Sequence, residues 1–215
     1  MAKYNTNFLN KVKIRKKMRC FSCGAFSIEP ICKICQRDIL SPDINIKKVG
    51  NLEVIGFLDY YLAVDFIKSK YNISGYRIYK FFAKNYFNPF LKNYIENLDN
   101  QKIYLIGINE DRSRGYSVIS LLLHYGAKGI KNLKPLHNVL KANNKVKYAG
   151  KSLQFRLSHS RAFKYSGPKN IDAILIDDTI TTGTTMQEAY RVLKENNVNV
   201  HFALTVAIAK EEIDY

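Results

Sequence analysis

Two adjacent carboxylates, Asp177 and Asp178, stand directly before a threonine-rich loop at residues 179–185. Carboxylates accept hydrogen bonds from sugar hydroxyls and can approach a Mg²⁺ ion bound to the same sugar phosphate. The loop supplies backbone N–H groups, hydroxyls and, at Gly183, a residue that tolerates positive φ, which together suit a phosphate at the start of a helix. A phosphate beside vicinal hydroxyls describes a ribose 5-phosphate. The candidate phosphate-binding residues are Thr179, Ile180, Thr181, Thr182, Gly183, Thr184 and Thr185.

The residues on either side of this stretch predict the elements that hold it in place. The apolar run at 173–176 is typical of a strand buried on both faces of a parallel sheet, and open α/β sheets bind ligands at the carboxyl ends of their strands. The pattern from Met186 to Leu193 predicts a helix that begins at the loop. The alternative is a turn with capping threonines and two solvated acids, but a helix cap does not require adjacent acids.

A second strand-and-loop pattern carries two cations. The apolar run at 102–108 predicts a strand, and Arg112 and Arg114 follow it beside Gly115. Arginine grips phosphate oxygens bidentately, so these two residues are candidates for contacts with a diphosphate. A helix is expected after them, over 117–125.

All four cysteines form two close pairs, Cys20-x-x-Cys23 and Cys32-x-x-Cys35, with eight residues between the pairs. Each pair can point two thiolates at one ion, and the short spacer brings the pairs together, so the spacing predicts a tetrahedral Zn²⁺ site. Four thiolates leave no open coordination position, which makes the predicted role structural. The alternative, disulfide formation, is disfavoured in a reducing cytoplasm.

The chain of 215 residues carries a formal net charge of +16 at pH 7. Such a charge predicts a polyanionic partner, with nucleic acid first and an acidic membrane surface second, although part of the excess is compositional. Residues 1–19 are basic without one acid, which is typical of a solvated arm or of an arm that tracks phosphates. A hydrophobic fraction of 47% argues for a folded globule and against disorder.

Residues 112–171 also contain many lysines and arginines but no Asp or Glu, and aromatic residues are interleaved with them. Cations for a phosphate backbone and flat rings for unstacked bases are the two ingredients of single-strand binding, so single-stranded DNA is a candidate partner. The alternative is that these cations cover the diphosphate of a small ligand or lie on a solvated face. The candidate DNA-binding residues are Lys145, Lys147, Lys151, Arg156, Arg161 and Lys164.

The length suits one well-buried domain, preceded here by two small segments. The predicted parts are a basic arm at 1–19, a zinc finger at 20–40 and an α/β domain at 41–215. The remaining expected elements are a connector at 36–52, strands at 52–57 and 199–208, and helices at 59–70 and 76–97, the second of which Pro89 can break. No apolar run approaches the ~20 residues that span a bilayer, and no secretory signal follows the basic start, so a cytoplasmic protein without a transmembrane segment is expected.

The stretch from Ile174 to Thr185 closely resembles the binding motif of type I phosphoribosyltransferases, in which four apolar residues precede two acids and a Thr-Thr-Gly-x-Thr loop. The resemblance implies a parallel sheet flanked by helices. It also implies that Asp177 and Asp178, the candidate catalytic residues, hold the ribose hydroxyls of phosphoribosyl pyrophosphate, which binds with Mg²⁺. The loop would then hold the 5-phosphate. Purine-salvage members carry an acid near the base where this chain has Thr181, and a threonine cannot do that acid's job at neutral pH.

A four-cysteine module before this motif is similar to the arrangement of the ComF family of bacterial competence proteins. Family members commonly show Pro-x-Pro at a strand end where this chain has Gly107-Ile108-Asn109. The resemblance implies a role in natural transformation, with binding of single-stranded DNA during uptake, contact with the inner-membrane DNA translocation machinery, and a cytoplasmic or peripheral inner-membrane location. The residues that carry it, besides the motif and the cysteines, are Arg112–Tyr116, Gln154, Leu157 and Arg161–Phe163.

Two other functions share the same motif. A metabolic phosphoribosyltransferase would transfer phosphoribose to a nucleobase or another small nucleophile with release of pyrophosphate, and it usually needs a group to manage a proton. Only Glu110 and Asp111 are unplaced candidates for that group, so the sequence leaves transfer and its acceptor open. The third hypothesis is that the fold is a scaffold with an empty ligand site. The intact motif argues against it, because such a site would not need both acids and the loop together.

Overall fold

The apolar runs of the sequence become strands of one central sheet in the computed structural model, which describes residues 19–108, 116–143 and 161–209. The strands are β1 (Asn45–Val49), β2 (Leu52–Asp59), β3 (Ile103–Gly107), β4 (Leu133–Leu136), β5 (Leu140–Ala142), β6 (Phe163–Tyr165), β7 (Ile171–Ile176), β8 (Thr179–Ile180) and β9 (Val198–Ile208). The helices are α1 (Lys33–Asp38), α2 (Tyr60–Lys68), α3 (Gly75–Phe82), α4 (Asn88–Glu96), α5 (Val118–Gly126) and α6 (Thr184–Glu195). A 3₁₀ turn (Ser69–Tyr71) follows α2, and a π-helical turn (Ala83–Phe87) joins α3 to α4.

The main sheet of the described residues has the order β1-β2-β9-β7-β3-β4, and β8 pairs with β9. Neighbouring strands are parallel except β1 and β2, which form an antiparallel hairpin at one edge. The eleven residues of β9 pair first with β7 and then with the short β8. The predicted α/β class, with a mainly parallel sheet flanked by helices and preceded by a four-cysteine cluster, is confirmed.

Helices cover both faces of the sheet because successive strand residues point to opposite faces. In β7, Ile174 and Ile176 belong to one buried cluster with residues of α2, α3, α4 and α5. Ala173 and Leu175 belong to a second cluster with residues of α6. Burial on both faces explains why this strand is a continuous apolar run.

The predicted connector at 36–52 is wrong, because it contains β1. This strand has the alternation of an edge strand, with Val49 buried and Ile46 exposed, and two of its three inner residues are lysines. Lysine on an edge strand discourages pairing with other chains, and it also makes the strand look like a loop in the sequence. The turn into β2 contains Gly50 at a φ of 60°.

The predicted helix at 76–97 forms, with an interruption before Pro89. In the π-helical turn the Asn88 N–H bonds the Ala83 carbonyl, five residues back. Pro89 lies in the first turn of α4 and has no N–H to bond a carbonyl four residues back. The π-helical turn therefore accommodates the hydrogen bond that Pro89 cannot make.

The cysteine module packs on the α/β domain and shares its core. Ile31 and Leu40 are buried in the same cluster as Phe66 of α2. The Phe21 and Phe66 rings lie 5.6 Å apart, and the Tyr86 hydroxyl donates to the Leu40 carbonyl at 2.6 Å. Within the described residues, no helix is both long and apolar enough to cross a membrane.

Candidate functional site

The two acids of the motif lie at the carboxyl edge of the sheet, in the gap between β7 and β8. The Asp177 N–H donates to the Leu204 carbonyl at 3.1 Å, and the Val206 N–H donates to the Asp178 carbonyl at 2.9 Å. Since β9 continues past the end of β7, it fixes the backbone of both acids. The carboxylates therefore start from a rigid strand edge, next to the threonine-rich loop.

The Asp178 carboxylate receives donors from two segments that are distant in sequence. The Lys70 Nζ lies 2.5 Å from its Oδ2, and the Tyr79 hydroxyl lies 3.3 Å from the same oxygen. The Thr179 hydroxyl donates to Oδ1 at 3.3 Å. The Lys70 and Asp178 side chains are only 12% and 3% exposed, so this is a largely buried ion pair.

Asp177 has a different environment. Its Oδ1 accepts the Asp178 N–H at 2.8 Å, and the residue is buried. Asp177 and Asp178 are adjacent in sequence at a strand end, and carboxylates are hard oxygen ligands of the kind that Mg²⁺ takes together with phosphate oxygens. The donor set of this edge therefore fits a Mg²⁺ ion that arrives with a phosphorylated ligand.

The loop between the acids and α6 is shaped by Gly183, which has a φ of 83° and caps the helix. A Cβ at this position would lie 2.8 Å from Val49 Cγ2, so the close approach of β1 also requires glycine. The Gln187 N–H already bonds the Gly183 carbonyl at 2.8 Å. The N–H groups of the first turn of α6 have no intrahelical partner, so this end of the loop favours an anion.

Lys47 adds a cation to the same loop. Its Nζ donates to the Thr181 carbonyl at 3.0 Å, across 134 residues of sequence. The Thr182 and Thr184 hydroxyls lie 3.2 Å apart on the exposed side of the loop. The loop thus combines hydroxyls, a helix N-terminus and an ammonium group, all of which attract phosphate.

Three residues of this site were missed by sequence reasoning. Lys47 lies in the predicted connector at 36–52, Lys70 at the end of the predicted helix at 59–70, and Tyr79 within the predicted helix at 76–97. Tyr79 is indeed fully buried, but its hydroxyl reaches both the Ile67 carbonyl and Asp178. No local pattern marks these side chains, because the fold alone brings them to the acids.

Two of the candidate DNA-binding residues lie in or beside the small β5–β6 hairpin. Lys164 of β6 stands directly opposite Lys141 of β5, and both side chains are exposed. Like charges opposite each other on adjacent strands repel, so an anion would stabilise this hairpin. The Arg161 N–H donates to Glu188 Oε2 at 3.0 Å, which ties the start of the hairpin to α6.

Several predicted residues lie outside the described ranges. They are Arg112 and Arg114 of the predicted diphosphate contacts, Lys145, Lys147, Lys151 and Arg156 of the predicted DNA contacts, and Glu110, Asp111, Gln154 and Leu157.

The four cysteines converge as their spacing predicts. Their Sγ atoms all lie within 4.8 Å of one another, and the Cys23 and Cys32 sulfurs are 3.7 Å apart. Sulfurs at about 2.3 Å from a tetrahedral zinc ion are about 3.8 Å apart, so the cluster fits one ion. The disulfide alternative is not adopted, since the four thiols are free.

The thiols of this cluster are not equivalent. Burial raises the pKa of Cys20, but hydrogen bonds from the backbone N–H groups of Cys32, Cys23 and Ser22 outweigh it and bring the pKa to about 6. A hydrogen bond from Ser22 lowers the pKa of Cys35, but burial and the neighbouring thiols raise it to about 12. Proximity of four sulfurs thus opposes full ionisation until a cation balances their charge.

No family model matches this chain, and no curated protein matches it. Among solved structures, it is similar to an adenine phosphoribosyltransferase (15% identity, TM-score 0.43), covering 82% of this chain and 89% of that one. It is also similar to the adenine phosphoribosyltransferase of Saccharomyces cerevisiae, solved with adenine and an imino-altritol bisphosphate (15% identity, TM-score 0.40). That similarity covers 81% of this chain and 87% of the yeast chain. A third similar structure is the orotate phosphoribosyltransferase of Mycobacterium tuberculosis (12% identity, TM-score 0.38), covering 81% of this chain and 82% of that one. At these identities and TM-scores, the similarity assigns neither an activity nor a ligand to this chain.

Proposed function

We propose that this chain binds phosphoribosyl pyrophosphate with Mg²⁺ at a type I phosphoribosyltransferase-like site. The observation that carries the proposal is the pair of acids, held by β9 at the sheet edge beside the loop of Gly183. Asp177 and Asp178 would accept hydrogen bonds from the ribose hydroxyls, while loop residues 179–185 donate to the 5-phosphate. The bound Mg²⁺ would offset the charge of the diphosphate, and Arg112 and Arg114 are proposed to contact that group.

Binding is proposed ahead of transfer to a nucleobase. Within the described part of the site, Asp178, Lys70 and Tyr79 are the titratable groups in mutual contact, and they satisfy one another. A base near this site would find them already engaged, whereas transfer to a nucleobase usually needs a group that manages a proton. Phosphoribosyl transfer to a small nucleophile is therefore the second candidate.

Single-stranded DNA is the proposed macromolecular partner, in the context of natural transformation. The support is the net charge of +16, the facing lysines of the β5–β6 hairpin and the resemblance of the motifs to those of ComF proteins. The proposed DNA-binding residues remain Lys145, Lys147, Lys151, Arg156, Arg161 and Lys164. The protein would then act in the cytoplasm at the inner membrane, in contact with the DNA translocation machinery.

A structural Zn²⁺ is proposed for Cys20, Cys23, Cys32 and Cys35. The ion would neutralise a thiolate cluster that lies against the α/β core, and so stabilise the whole chain and not only residues 20–40. Metal analysis of purified protein should give one zinc per chain. Cys20→Ser should lose the metal, whereas Ser41→Ala, just outside the cluster, should keep it. Full metal content in Cys20→Ser would contradict the assignment.

Calorimetry tests the ligand site. Phosphoribosyl pyrophosphate titrated with Mg²⁺ into the wild type should release or absorb heat, and the signal should disappear in Asp178→Asn. Asparagine is the sharper substitution because it keeps an oxygen acceptor for Lys70. Asp172→Asn, at the other end of the same strand, should bind as the wild type does. Absence of heat in the wild type would refute the proposed ligand, and rapid pyrophosphate release with a nucleobase would reverse the order of the two candidates.

A mobility-shift assay with single-stranded DNA tests the partner. Affinity should fall as salt rises, since phosphate contacts release counterions. Lys141→Glu with Lys164→Glu should weaken binding far more than Lys84→Glu with Lys194→Glu, which reverses two exposed lysines on other elements. Binding that is indifferent to salt, or equal losses in the two double variants, would contradict the proposed surface.

A further inference from the structure

Stacking of unpaired bases needs an accessible aromatic ring beside a cation. The β5–β6 hairpin supplies cations, but among its described residues Phe163 is buried and the Tyr165 ring lies against Gly167. The Tyr165 hydroxyl also donates to the Pro168 carbonyl at 2.7 Å. A better placed ring for a base is found in another part of the described chain.

Two tyrosines from different helices meet between α3 and α5. Tyr76 lies in the first turn of α3 and is 39% exposed, and Tyr125 lies near the end of α5. Their hydroxyls are 3.2 Å apart. The Tyr116 ring packs edge-on against the Tyr76 ring, with the ring centroids 6.3 Å apart. These contacts hold the rings in place, which lowers the entropic cost of stacking a base on them.

Two lysines place positive charge on this tyrosine pair. The Lys80 Nζ lies 4.8 Å from the centroid of the Tyr125 ring and 5.8 Å from that of the Tyr76 ring. Hydrogen bonds with Tyr76 and Lys80 lower the pKa of Tyr125, and the charge of Lys128 acts in the same direction. Neither α3 nor α5 contains an Asp or a Glu, so neither helix supplies a carboxylate that would neutralise these ammonium groups.

The combination of rings and ammonium groups matches the chemistry of a single strand. Because Lys80 lies beside both rings, a phosphate that pairs with its ammonium brings the attached nucleotide next to the tyrosines. An unpaired base has a free flat face for stacking, whereas the bases of a duplex are already stacked on one another. An acidic peptide could pair with the lysines but would carry no base for the rings.

We propose that Tyr76, Tyr125 and Lys80 form a stacking site for the unpaired bases of a single-stranded nucleic acid. The tyrosine rings stack on the bases, and the lysine pairs with a neighbouring phosphate. This inference rests on the proposed single-stranded partner. It adds a site outside the proposed DNA-binding residues at 145–164, and it lets the protein distinguish a nucleic acid from other polyanions.

Fluorescence anisotropy with two labelled probes tests the site. Oligothymidine and an abasic strand of equal length are titrated separately, at one salt concentration, with the wild type, Tyr76→Ala, Tyr76→Phe and Tyr61→Ala. Both strands carry the same phosphates, but only the first carries bases. The wild type should prefer oligothymidine by at least about fivefold, as expected for one stacked base. Tyr76→Ala should bring the two affinities within about twofold of each other, because it removes the exposed ring.

The control variants separate the ring from the fold and from the charge. Tyr76→Phe keeps the ring and should keep the preference, and Tyr61→Ala, which removes a 54% exposed tyrosine on α2, should match the wild type. Lys80→Gln should weaken the binding of both strands and reduce the slope of log affinity against log salt by about 1.

The possible failures of the stacking site and of the single-stranded partner are distinguishable. An unchanged preference in Tyr76→Ala, or an equal loss of both affinities, would overturn the stacking site. Equal binding of the two strands by the wild type would mean that the protein binds any polyanion, and it would also overturn the stacking site. In each of these cases single-stranded DNA remains the proposed partner. A wild type that binds neither strand would overturn the partner and this inference together.

Discussion

The two ends of β7 each carry an acid, and the two acids are held in different ways. At the amino end, Asp172 Oδ1 accepts hydrogen bonds from His201 Nε2 at 2.8 Å and Asn199 Nδ2 at 2.6 Å, and the Tyr94 hydroxyl lies 2.6 Å from His201 Nδ1. The Asp172 and His201 side chains are 29% and 16% exposed. At the carboxyl end, Asp178 is almost fully buried and paired with a lysine.

This difference separates an acid held by partly exposed hydrogen bonds from an acid whose charge is balanced inside the fold. The amino-end network connects neutral and charged groups through bonds that water can partly replace. The carboxyl-end pair is largely shielded from water, and removing one partner of such a pair leaves the other charge uncompensated. The comparison predicts different responses to equivalent substitutions at the two ends.

The largest difference is expected when each acid loses its basic partner. Lys70→Ala leaves the Asp178 charge buried and should lower the free energy of unfolding by about 3–5 kcal/mol. His201→Ala removes a hydrogen bond from a partly exposed acid and should cost about 1–2 kcal/mol. Urea denaturation of the two variants measures both values. Equal costs would mean that the two acids are held by equivalent interactions.

A smaller difference in stability is expected between substitutions of two glycines with positive φ. One lies at the carboxyl ends of the parallel strands and the other at their amino ends. Gly183→Ala combines an unfavourable φ with contact to Val49, and it should cost about 1–3 kcal/mol and weaken ligand binding. Gly129, before β4 at the amino edge, has a φ of 78° but open space around it. Gly129→Ala should therefore cost only about 1 kcal/mol and leave the ligand affinity unchanged. Equal losses of unfolding free energy in the two variants would show that the close approach of β1 to Gly183 does not add to the cost of the substitution.

The amino-acid sequence was sufficient to predict that Asp177 and Asp178 lie at the carboxyl end of a buried strand. It did not predict which side chains surround them. Continuous apolar runs predicted β3, β7 and β9, because strands buried on both faces need no polar positions. Asp177, Asp178 and the Gly183 loop are contiguous, so their chemistry could be interpreted without the fold. The four cysteines were predictable for the same reason, since metal-ligand spacing is local.

What the sequence could not show depends on tertiary contacts. Lys47, Lys70 and Tyr79 come from three elements that meet the motif only when the sheet forms, and each has an ordinary local interpretation. β1 was missed because its central lysines hide an edge strand. The amino-end network was missed because Asp172, Asn199 and His201 are dispersed over two strands whose parallel register brings them together.

Removal of one hydroxyl at each end sharpens the same comparison. Tyr94→Phe loses the contact with His201 but keeps the ring packing on Phe202, and Tyr79→Phe loses one hydroxyl that is shared between Asp178 and the Ile67 carbonyl. Each should lower the free energy of unfolding by about 1 kcal/mol, as for a single hydrogen bond. Only Tyr79→Phe should change the affinity for phosphoribosyl pyrophosphate. A change of affinity in Tyr94→Phe would show that the two ends are coupled.

The smallest effect concerns the pH dependence of the amino-end network. A hydrogen bond from His201, with others from Asn199 and Gln101, holds the pKa of Asp172 below its ordinary value against a smaller opposing effect of burial. A lowered folded-state pKa adds stability that is fully present above the unfolded value of about 3.9 and is lost as pH falls through the folded value. The stability gap between the wild type and Asp172→Asn should therefore be constant near neutral pH and shrink in acid. Denaturation at a series of pH values measures the gap, and His201→Ala serves as the control because removing the main donor should flatten the response. A gap that widens in acid would mean that the ionised Asp172 carboxylate destabilises the fold, and it would contradict the stabilising role of its hydrogen bonds.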